Sequence, residues 1–436
     1  MAMGRIQDES WTIGGSIAEL SENAVPRCIL VGVPLRETSD DENLSSLNEL
    51  ERLVTTLGFA TVGRLSQRRA KLRGVVLGEG KLAELTELCK GTDADSVIHC
   101  AVFDCELSPS QLANLEQHLG TRVLDRTGVI VEIFSRHART REARLQVEIA
   151  RLRYLAPRLR EHIRGRGEDR INLSGETSLE MDRRRIRDRV AELRVELETV
   201  QREQQGRRQG RSDARCVALV GYTNAGKSSL MRALTGSEVM VADKLFATLD
   251  TTVRALFPPT QPRILVTDTV GFIRKLPHDL VASFRSTLEE ARAASLLLFV
   301  VDASDVECLK QLEVTRQVLA EIDLADVPFR IILNKVDLLA DEAGRARLDE
   351  LLAVLPDAVL LSTRDSASVS ALRDAIVLEL ERGMIETEVK VPYSVRGVIG
   401  EIRDSLRVVS EEYDDDGVVL VVRGESTAID RVKRML

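Results

Sequence analysis

Cys216-Val217-Ala218-Leu219-Val220 runs without a break into Gly221-Tyr222-Thr223-Asn224-Ala225-Gly226-Lys227-Ser228 and on into Ser229-Leu230-Met231. An apolar run of strand length, a G-x-x-x-x-G-K-[ST] loop and a helical start make the strand–loop–helix unit of a P-loop. Its glycines let backbone amides wrap a phosphate chain, and the helix that follows directs its positive end at the same phosphates. On this reading Lys227 reaches the β- and γ-phosphates and the Ser228 hydroxyl ligates Mg²⁺. The stretch predicts an α/β fold around a nucleoside triphosphate. It does not choose between ATP and GTP.

The base is decided further along. Arg263 to Thr267 predicts a strand that delivers Asp268-Thr269-Val270-Gly271, a D-x-x-G in which Asp268 holds the Mg²⁺ shell through water and the Gly271 amide senses the γ-phosphate. Leu296 to Val301 and Phe329 to Leu333 predict two more buried strands, the second ending at Asn334-Lys335-Val336-Asp337. The Asp337 carboxylate can accept hydrogen bonds from guanine N1–H and N2–H₂. Adenine offers no such donor pair, and a site built on bonds of this kind discriminates by about 10⁴–10⁵. Asn334 is expected to brace the P-loop and the base. After a strand from Ala358 to Leu361, Ser362-Thr363-Arg364 fits a fifth guanine element whose backbone amide faces the base carbonyl, though it departs from the usual S-A-K at its last two positions. The first switch lies between the P-loop and Asp268, where Phe246-Ala247-Thr248-Leu249-Asp250-Thr251-Thr252 offers several threonines able to meet Mg²⁺. In this order the motifs predict a GTP-binding domain over 214–383, with Lys227, Asp268 and Gly271 as its catalytic residues. Phe272 stands where many small GTPases carry a water-orienting glutamine. A phenyl ring cannot orient water, so intrinsic hydrolysis is expected to be slow. A group supplied from outside is worth about 10³–10⁵ in rate.

The whole chain has 436 residues, which at roughly 100–200 per domain predicts two to four domains. With 44% hydrophobic and 30% charged residues a mainly disordered chain is excluded. The longest uncharged apolar run, Ala293 to Val301, is about half the length a bilayer requires. The start, MAMGRIQDES, shows no basic region followed by an apolar stretch, so a cytoplasmic protein without a membrane span is expected. Cys28, Cys89, Cys100, Cys105, Cys216 and Cys308 form no C-x-x-C pair, and the five histidines do not cluster, which argues against a zinc ribbon or a disulfide framework. A net charge of −8 argues against uniform coating of nucleic acid.

That charge is unevenly placed. From Arg136 to Arg215 there are 22 arginines, no lysine and 14 acidic residues, an excess of eight positive charges; the rest of the chain carries sixteen negative ones. Such asymmetry suggests one segment facing a polyanion. The same segment is patterned as two long helices. Leu145, Ile149, Leu152 and Leu155 mark the first, ending near Pro157; Ile186, Val190, Leu193, Leu197 and Val200 mark the second, in four-three spacing. Between them Arg164-Gly165-Arg166-Gly167 makes a basic tip, whose guanidinium groups suit phosphate oxygens. An antiparallel helical hairpin over 131–205 is expected, followed by a polar hinge from Gln201 to Ala214.

Upstream, Arg27 to Val33 and Ser96 to Phe103 predict buried strands, and Leu44 to Leu57 and Ser108 to Leu119 predict helices, together a small α/β subdomain over 26–130. Gly78-Glu79-Gly80-Lys81 lacks P-loop spacing and is taken as a strand-to-helix turn. Over 386–436, Val389-Lys390-Val391-Pro392 and Val418 to Val422 predict strands, with helices near Val398 to Leu406 and Thr427 to Leu436, a small α/β appendage.

The sequence resembles the HflX family of ribosome-associated GTPases. The P-loop Gly221 to Ser228, the first switch Phe246 to Asp250, and Asp268 to Ile273 with its apolar residue after the glycine are the family's forms, as are Leu276-Pro277-His278 and Leu280-Val281. Outside the GTPase motifs the likeness rests on Val123 to Thr127, Ile133-Phe134, Arg139, Leu145 to Glu148, Tyr154-Leu155, Pro157-Arg158-Leu159, Gly175-Glu176-Thr177, Leu179-Glu180 and Asp182-Arg183-Arg184. It covers about Pro26 to Gly383. The resemblance implies that the N-terminal subdomain and hairpin bind the 50S subunit near the tRNA and peptidyl-transfer region. It also implies that GTP turnover serves to split or rescue stalled ribosomes, notably under stress, and that Ser228 and Thr248 ligate Mg²⁺. Spacing alone leaves Thr248, Thr251 and Thr252 equivalent. Leu173-Ser174 stand where the family commonly has Gly-Pro, and Thr251 where proline is frequent.

The leading expectation is therefore a monomeric GTPase that takes GTP to GDP, contacts 50S rRNA through Arg164 and Arg166, and is stimulated by the ribosome. Alternatives are a GTPase of 50S assembly, and a nucleotide-gated RNA-binding protein in which turnover is not essential.

Overall fold

The computed structural model describes residues 25–71, 76–91, 97–158, 178–209, 215–237, 245–246, 252–275, 291–292, 294–322, 324, 326–395 and 397–436. By internal contacts these form two units, divided between Thr199 and Val200 along the main run of the chain. The first carries one sheet and a helical pair, the second carries two sheets.

In the first unit, β1 (Arg27–Gly32), β2 (Ala60–Ser66), β3 (Cys100–Phe103) and β4 (Arg122–Asp125) lie parallel in the order β2-β1-β3-β4. The helices between them are α1 (Asp40–Thr56), α2 (Glu79–Lys90) and α3 (Pro109–Leu119). α1 begins with a reciprocal cap: the Ser39 hydroxyl accepts the Glu42 N–H and the Glu42 carboxylate accepts the Ser39 N–H, worth about 1 kcal/mol. Its buried Leu47, Leu50, Leu53 and Val54 recur at helical spacing. Ser108 and Gln111 cap α3 the same way, with Pro109 in its first turn and Gly120 in left-handed conformation at its end.

β2 falls outside the predicted strands. It is an edge strand with Leu65 alone buried, so no continuous apolar run marks it. The regular ladder of β3 covers only Cys100–Phe103 of the longer stretch expected there. Gly78 is the N-cap, and Glu79 to Lys81 already belong to α2.

α4 (Arg126–His137) and α5 (Arg141–Leu155) follow β4, and α6 runs over Ser178–Gln209. Arg141 pairs with Glu196 at 2.8 Å and Glu148 with Arg189 at 3.3 Å, so the partners step back along α6 as α5 advances. The two helices are antiparallel. Leu145, Ile149, Ile186 and Leu193 from their apolar stripes are buried. The expected hinge is corrected in part: Gln201 to Gln209 continue α6, because Gln, Arg and Glu propagate a helix already nucleated upstream. The tip with Arg164 and Arg166 lies outside the described residues.

The second unit is built on a six-stranded sheet in the order β10-β9-β8-β5-β7-β6. Its elements in chain order are β5 (Arg215–Gly221), α7 (Lys227–Thr235), β6 (Thr252–Ala255), β7 (Ile264–Asp268), β8 (Leu296–Asp302), α8 (Cys308–Glu321), β9 (Phe329–Asn334), a 3₁₀ turn (Val336–Leu339), α9 (Glu342–Val354), β10 (Val359–Leu360) and α10 (Ser366–Glu381). All strands are parallel except β6, which lies antiparallel on β7 at the edge. Val217, Leu219, Leu298, Val300 and Ile332 bury one core with Leu230 and Leu234 of α7 and Leu372 and Ile376 of α10. Buried parallel strands read as unbroken apolar runs, which is why these were legible in the sequence.

The last fifty residues form β11 (Ile385–Pro392), α11 (Val398–Ser405), β12 (Arg407–Tyr413), β13 (Gly417–Gly424) and α12 (Ser426–Met435), with antiparallel strands in the order β11-β13-β12. Val389, Val391, Leu420 and Val422 pack with Ile402, Ile429 and Val432 of the two helices. β12, rich in exposed polar residues, is a strand that patterning did not predict. Among the described residues no helix is long and apolar enough to cross a membrane.

Candidate active site

The phosphate loop sits where β5 hands over to α7, at the carboxyl end of a central parallel strand, the usual position of a ligand crevice. Gly226 caps α7 at φ 96°, and a Cβ there would lie 2.2 Å from the Asn334 amide nitrogen. Only glycine satisfies both demands. Asn334 comes from the end of β9; its fully buried side chain donates to the Ala225 carbonyl at 2.9 Å, bracing the loop across the sheet. Asn224 completes the turn at φ 62°.

Lys227 is only 6% exposed, and its ammonium donates to the carbonyls of Gly221 (3.0 Å) and Tyr222 (2.8 Å). Burial pushes its pKa down to about 8, against the opposing pull of the Asp268 carboxylate. Ser228, one residue on, donates its hydroxyl to Asp268 at 2.8 Å. This sets two hard oxygen groups from α7 and β7 side by side, the donor set that suits Mg²⁺. The Thr223 hydroxyl and the Asn334 carbonyl oxygen are buried without a hydrogen-bond partner among the described residues. Buried polar atoms of this kind fit a polar ligand in the loop.

Asp268 to Gly271 leave β7 directly over the loop. The Thr269 hydroxyl donates to the Leu219 carbonyl at 2.7 Å, and Val270 is buried. At Gly271 an added Cβ would come within 2.8 Å of Thr223 Cγ2 and 3.0 Å of Lys227 Nζ, so a bare backbone is required for this approach. Phe272 then locks on: its N–H donates to the Gly221 carbonyl (3.1 Å) and its carbonyl accepts the Thr223 N–H (2.8 Å). The Tyr222 hydroxyl accepts the Arg274 N–H at 2.7 Å, while the Arg274 guanidinium is paired with Glu307. The Phe272 ring is buried. Tyr222 thus holds the start of the second switch, and Glu307 holds Arg274; motif reading alone assigned neither role.

The elements expected to read the base converge on the same end of the sheet. Lys335 adopts φ 64° and pairs with Asp302, the last residue of β8, at 2.6 Å. The Val336 N–H donates to the Leu361 carbonyl, tying N-K-x-D to the end of β10. Asp337 accepts the Ser362 hydroxyl at Oδ1 (2.7 Å) and the Arg364 guanidinium at Oδ2 (3.3 Å). Thr363 stands between them, half-buried. Asp302 was missed in the sequence; its signal was an acidic residue closing a buried apolar strand.

Of the first-switch stretch Phe246, buried at φ 57°, and Thr252, the first residue of β6, are described. Ala247, Thr248, Leu249 and Asp250 lie outside the described residues, as does Thr251.

Three family models match in succession: "GTP-binding GTPase N-terminal" over residues 44–135, "GTP-binding GTPase Middle Region" over 137–211 and "50S ribosome-binding GTPase" over 216–335. Among curated relatives, "GTPase HflX" of Gluconacetobacter diazotrophicus is 54% identical, covering 94% of this chain and 98% of the relative. Proteins of the same name from Escherichia coli and Caldanaerobacter subterraneus are 39% and 38% identical, over 87% and 93% of this chain and 90% and 92% of theirs.

Proposed function

The chain belongs to the HflX family and is a GTPase that binds GTP and GDP, and from that premise we propose that it couples turnover on the 50S subunit to the splitting or rescue of ribosomes under stress. The observation that carries the proposal is the pinning of the second switch to the phosphate loop at Gly271, Phe272 and Arg274. A γ-phosphate between Lys227 and the Gly271 amide acts on both elements at once, so nucleotide state is transmitted along the second switch to Arg274.

In this reading residues 26–130 and 131–205 form the ribosome-facing part, 214–383 the GTPase domain and 386–436 an appendage. Gly221 to Ser228 cradle the phosphates, Asn334 to Asp337 and Ser362 to Arg364 take the guanine, and Phe246 to Asp250 serve as the first switch. Ser228 and Thr248 would hold Mg²⁺, with Asp268 behind them. An ion held there would supply positive charge to offset that of the phosphates. Lys227 brings its ammonium to the β- and γ-phosphate oxygens, and the Gly271 N–H meets the charge that develops on the γ-phosphate. With Phe272 buried and its backbone spent on the loop, no side chain at that position orients the attacking water. The 50S subunit supplies that help, and the basic hairpin brings the chain to it as a cytoplasmic monomer.

The test is GTP turnover with and without purified 50S subunits, beside 70S sedimentation in GTP. Stimulation by about 10³-fold or more, with 70S converting to subunits, is expected. Turnover of several per second by the isolated chain would overturn the need for outside help; no stimulation, with 70S left intact, would overturn the splitting reading and favour assembly or another activator.

A further inference from the structure

Asp337 carries two acceptor oxygens in different surroundings. Oδ1 faces inward and accepts the hydroxyl of buried Ser362 at 2.7 Å; Oδ2 accepts Arg364 Nη1 at 3.3 Å, from a side chain 81% exposed. The Arg364 backbone is anchored as well, its N–H donating to the Ser362 hydroxyl at 3.3 Å. Its guanidinium therefore sits on the carboxylate oxygen that Ser362 leaves open, and it is a donor held on an exposed side chain.

We propose that Arg364 is a specificity-determining residue that takes the place of the purine 2-amino group on Asp337, so that the site accepts inosine phosphates as well as guanosine phosphates. The proposal rests on the guanine-reading role of Asp337. A carboxylate that loses one of two expected donors is left with a desolvated, unpartnered oxygen, and that penalty is what rejects bases lacking the group. Hypoxanthine keeps N1–H and the 6-carbonyl but has no 2-amino group. In a site without an arginine here, it leaves Oδ2 bare. In this chain the guanidinium already on Oδ2 stays, and the penalty is removed. With guanine the amino group competes for the same oxygen. An exposed ion pair is weak, so the arginine swings off at little loss. Arg364 thus lowers the contrast between the two bases from the inosine side, leaving guanosine binding nearly unchanged.

A different role, laying the guanidinium flat on the base, would serve guanine and hypoxanthine alike, since both present the same purine face. The two roles are separable by ratio. The experiment is displacement of a fluorescent GDP from the full chain with Mg²⁺ by GDP, IDP and ADP, for the unsubstituted protein, Arg364→Ala and Arg364→Lys. Arg364→Ala is expected to weaken IDP about tenfold more than GDP, the size of one lost hydrogen bond to a charged group. Arg364→Lys, whose ammonium can still reach Oδ2, is expected to keep the original IDP-to-GDP ratio within about threefold. Equal loss for GDP and IDP, or no loss for either, overturns the proposal and leaves the guanine site standing. An unsubstituted chain that binds ADP as well as GDP overturns the reading of Asp337 itself, and this proposal with it.

Discussion

The motif gives Lys227 as an expected phosphate ligand, but its ionisation state is not written in the sequence. Full burial behind the Gly221 and Tyr222 carbonyls holds its pKa down at about 8. Triphosphate or diphosphate oxygens favour the ammonium form, so the bound complex has the higher pKa and binding takes up protons. The sign follows: affinity is greatest below pH 8 and falls as pH rises through it. Calorimetry of GDP binding in two buffers of different ionisation enthalpy is expected to show an uptake on the order of half a proton at pH 8 and little at pH 6.5. Zero uptake at pH 8 would mean the lysine is already fully charged in the free protein. Gly226 and Gly271 were marked by the motifs too, yet the reason each must be glycine, the Asn334 amide beside one and Thr223 and Lys227 beside the other, needed the fold.

At the scale of elements, α4, α5 and the loop after β3 meet at one carboxylate. Asp125 is fully buried at the end of β4. Its Oδ1 accepts the Gly128 N–H at 2.8 Å, capping α4, and the Tyr154 hydroxyl at 2.7 Å; Oδ2 accepts the Leu107 N–H at 3.1 Å and the Arg158 guanidinium at 3.0 Å. Arg158 also lies 3.5 Å over the Tyr154 ring. Burial and the neighbouring Asp125 charge push the Tyr154 hydroxyl well above its ordinary pKa, so it stays a donor. Asp125→Ala removes a helix cap and leaves the largely buried Arg158 without its carboxylate, expected to cost about 3–5 kcal/mol; Tyr154→Phe removes one hydrogen bond to a charged group, about 1.5–3 kcal/mol. Hydrogen exchange at the amides of α4 and α5 measures both, and unchanged protection in Asp125→Ala would refute the link. The apolar periodicity of α5 announced a helix, but nothing in the sequence spacing joined Asp125 to residues 29 and 33 positions away.

For the whole molecule, an arginine-rich segment with eight excess positive charges sits in a chain of net −8. Contacts between that segment and rRNA would release counterions, so affinity for 50S should fall steeply with salt. Replacing Arg164 and Arg166 with alanine is expected to lower the slope of log affinity against log salt by roughly 1.5–2, with GDP affinity unchanged. A matching loss of GDP affinity would assign the tip a structural role instead. The central strands of both parallel sheets were readable as apolar runs, whereas the edge strands β2 and β12 were not. An edge strand solvates half its surface and needs no such run.

By itself the sequence determined the order of the nucleotide motifs, most of the buried strands, though not β4, and the amphipathic helices, because each is carried by residues close together in the chain. The tertiary structure decided what depends on distance across the chain: Asn334 under Gly226, Phe272 paired with the phosphate loop, Asp302 on Lys335, and Arg364 on Asp337. Those contacts join residues at or beyond the ends of different strands. Sheet order and register bring them together, and neither is written in local spacing.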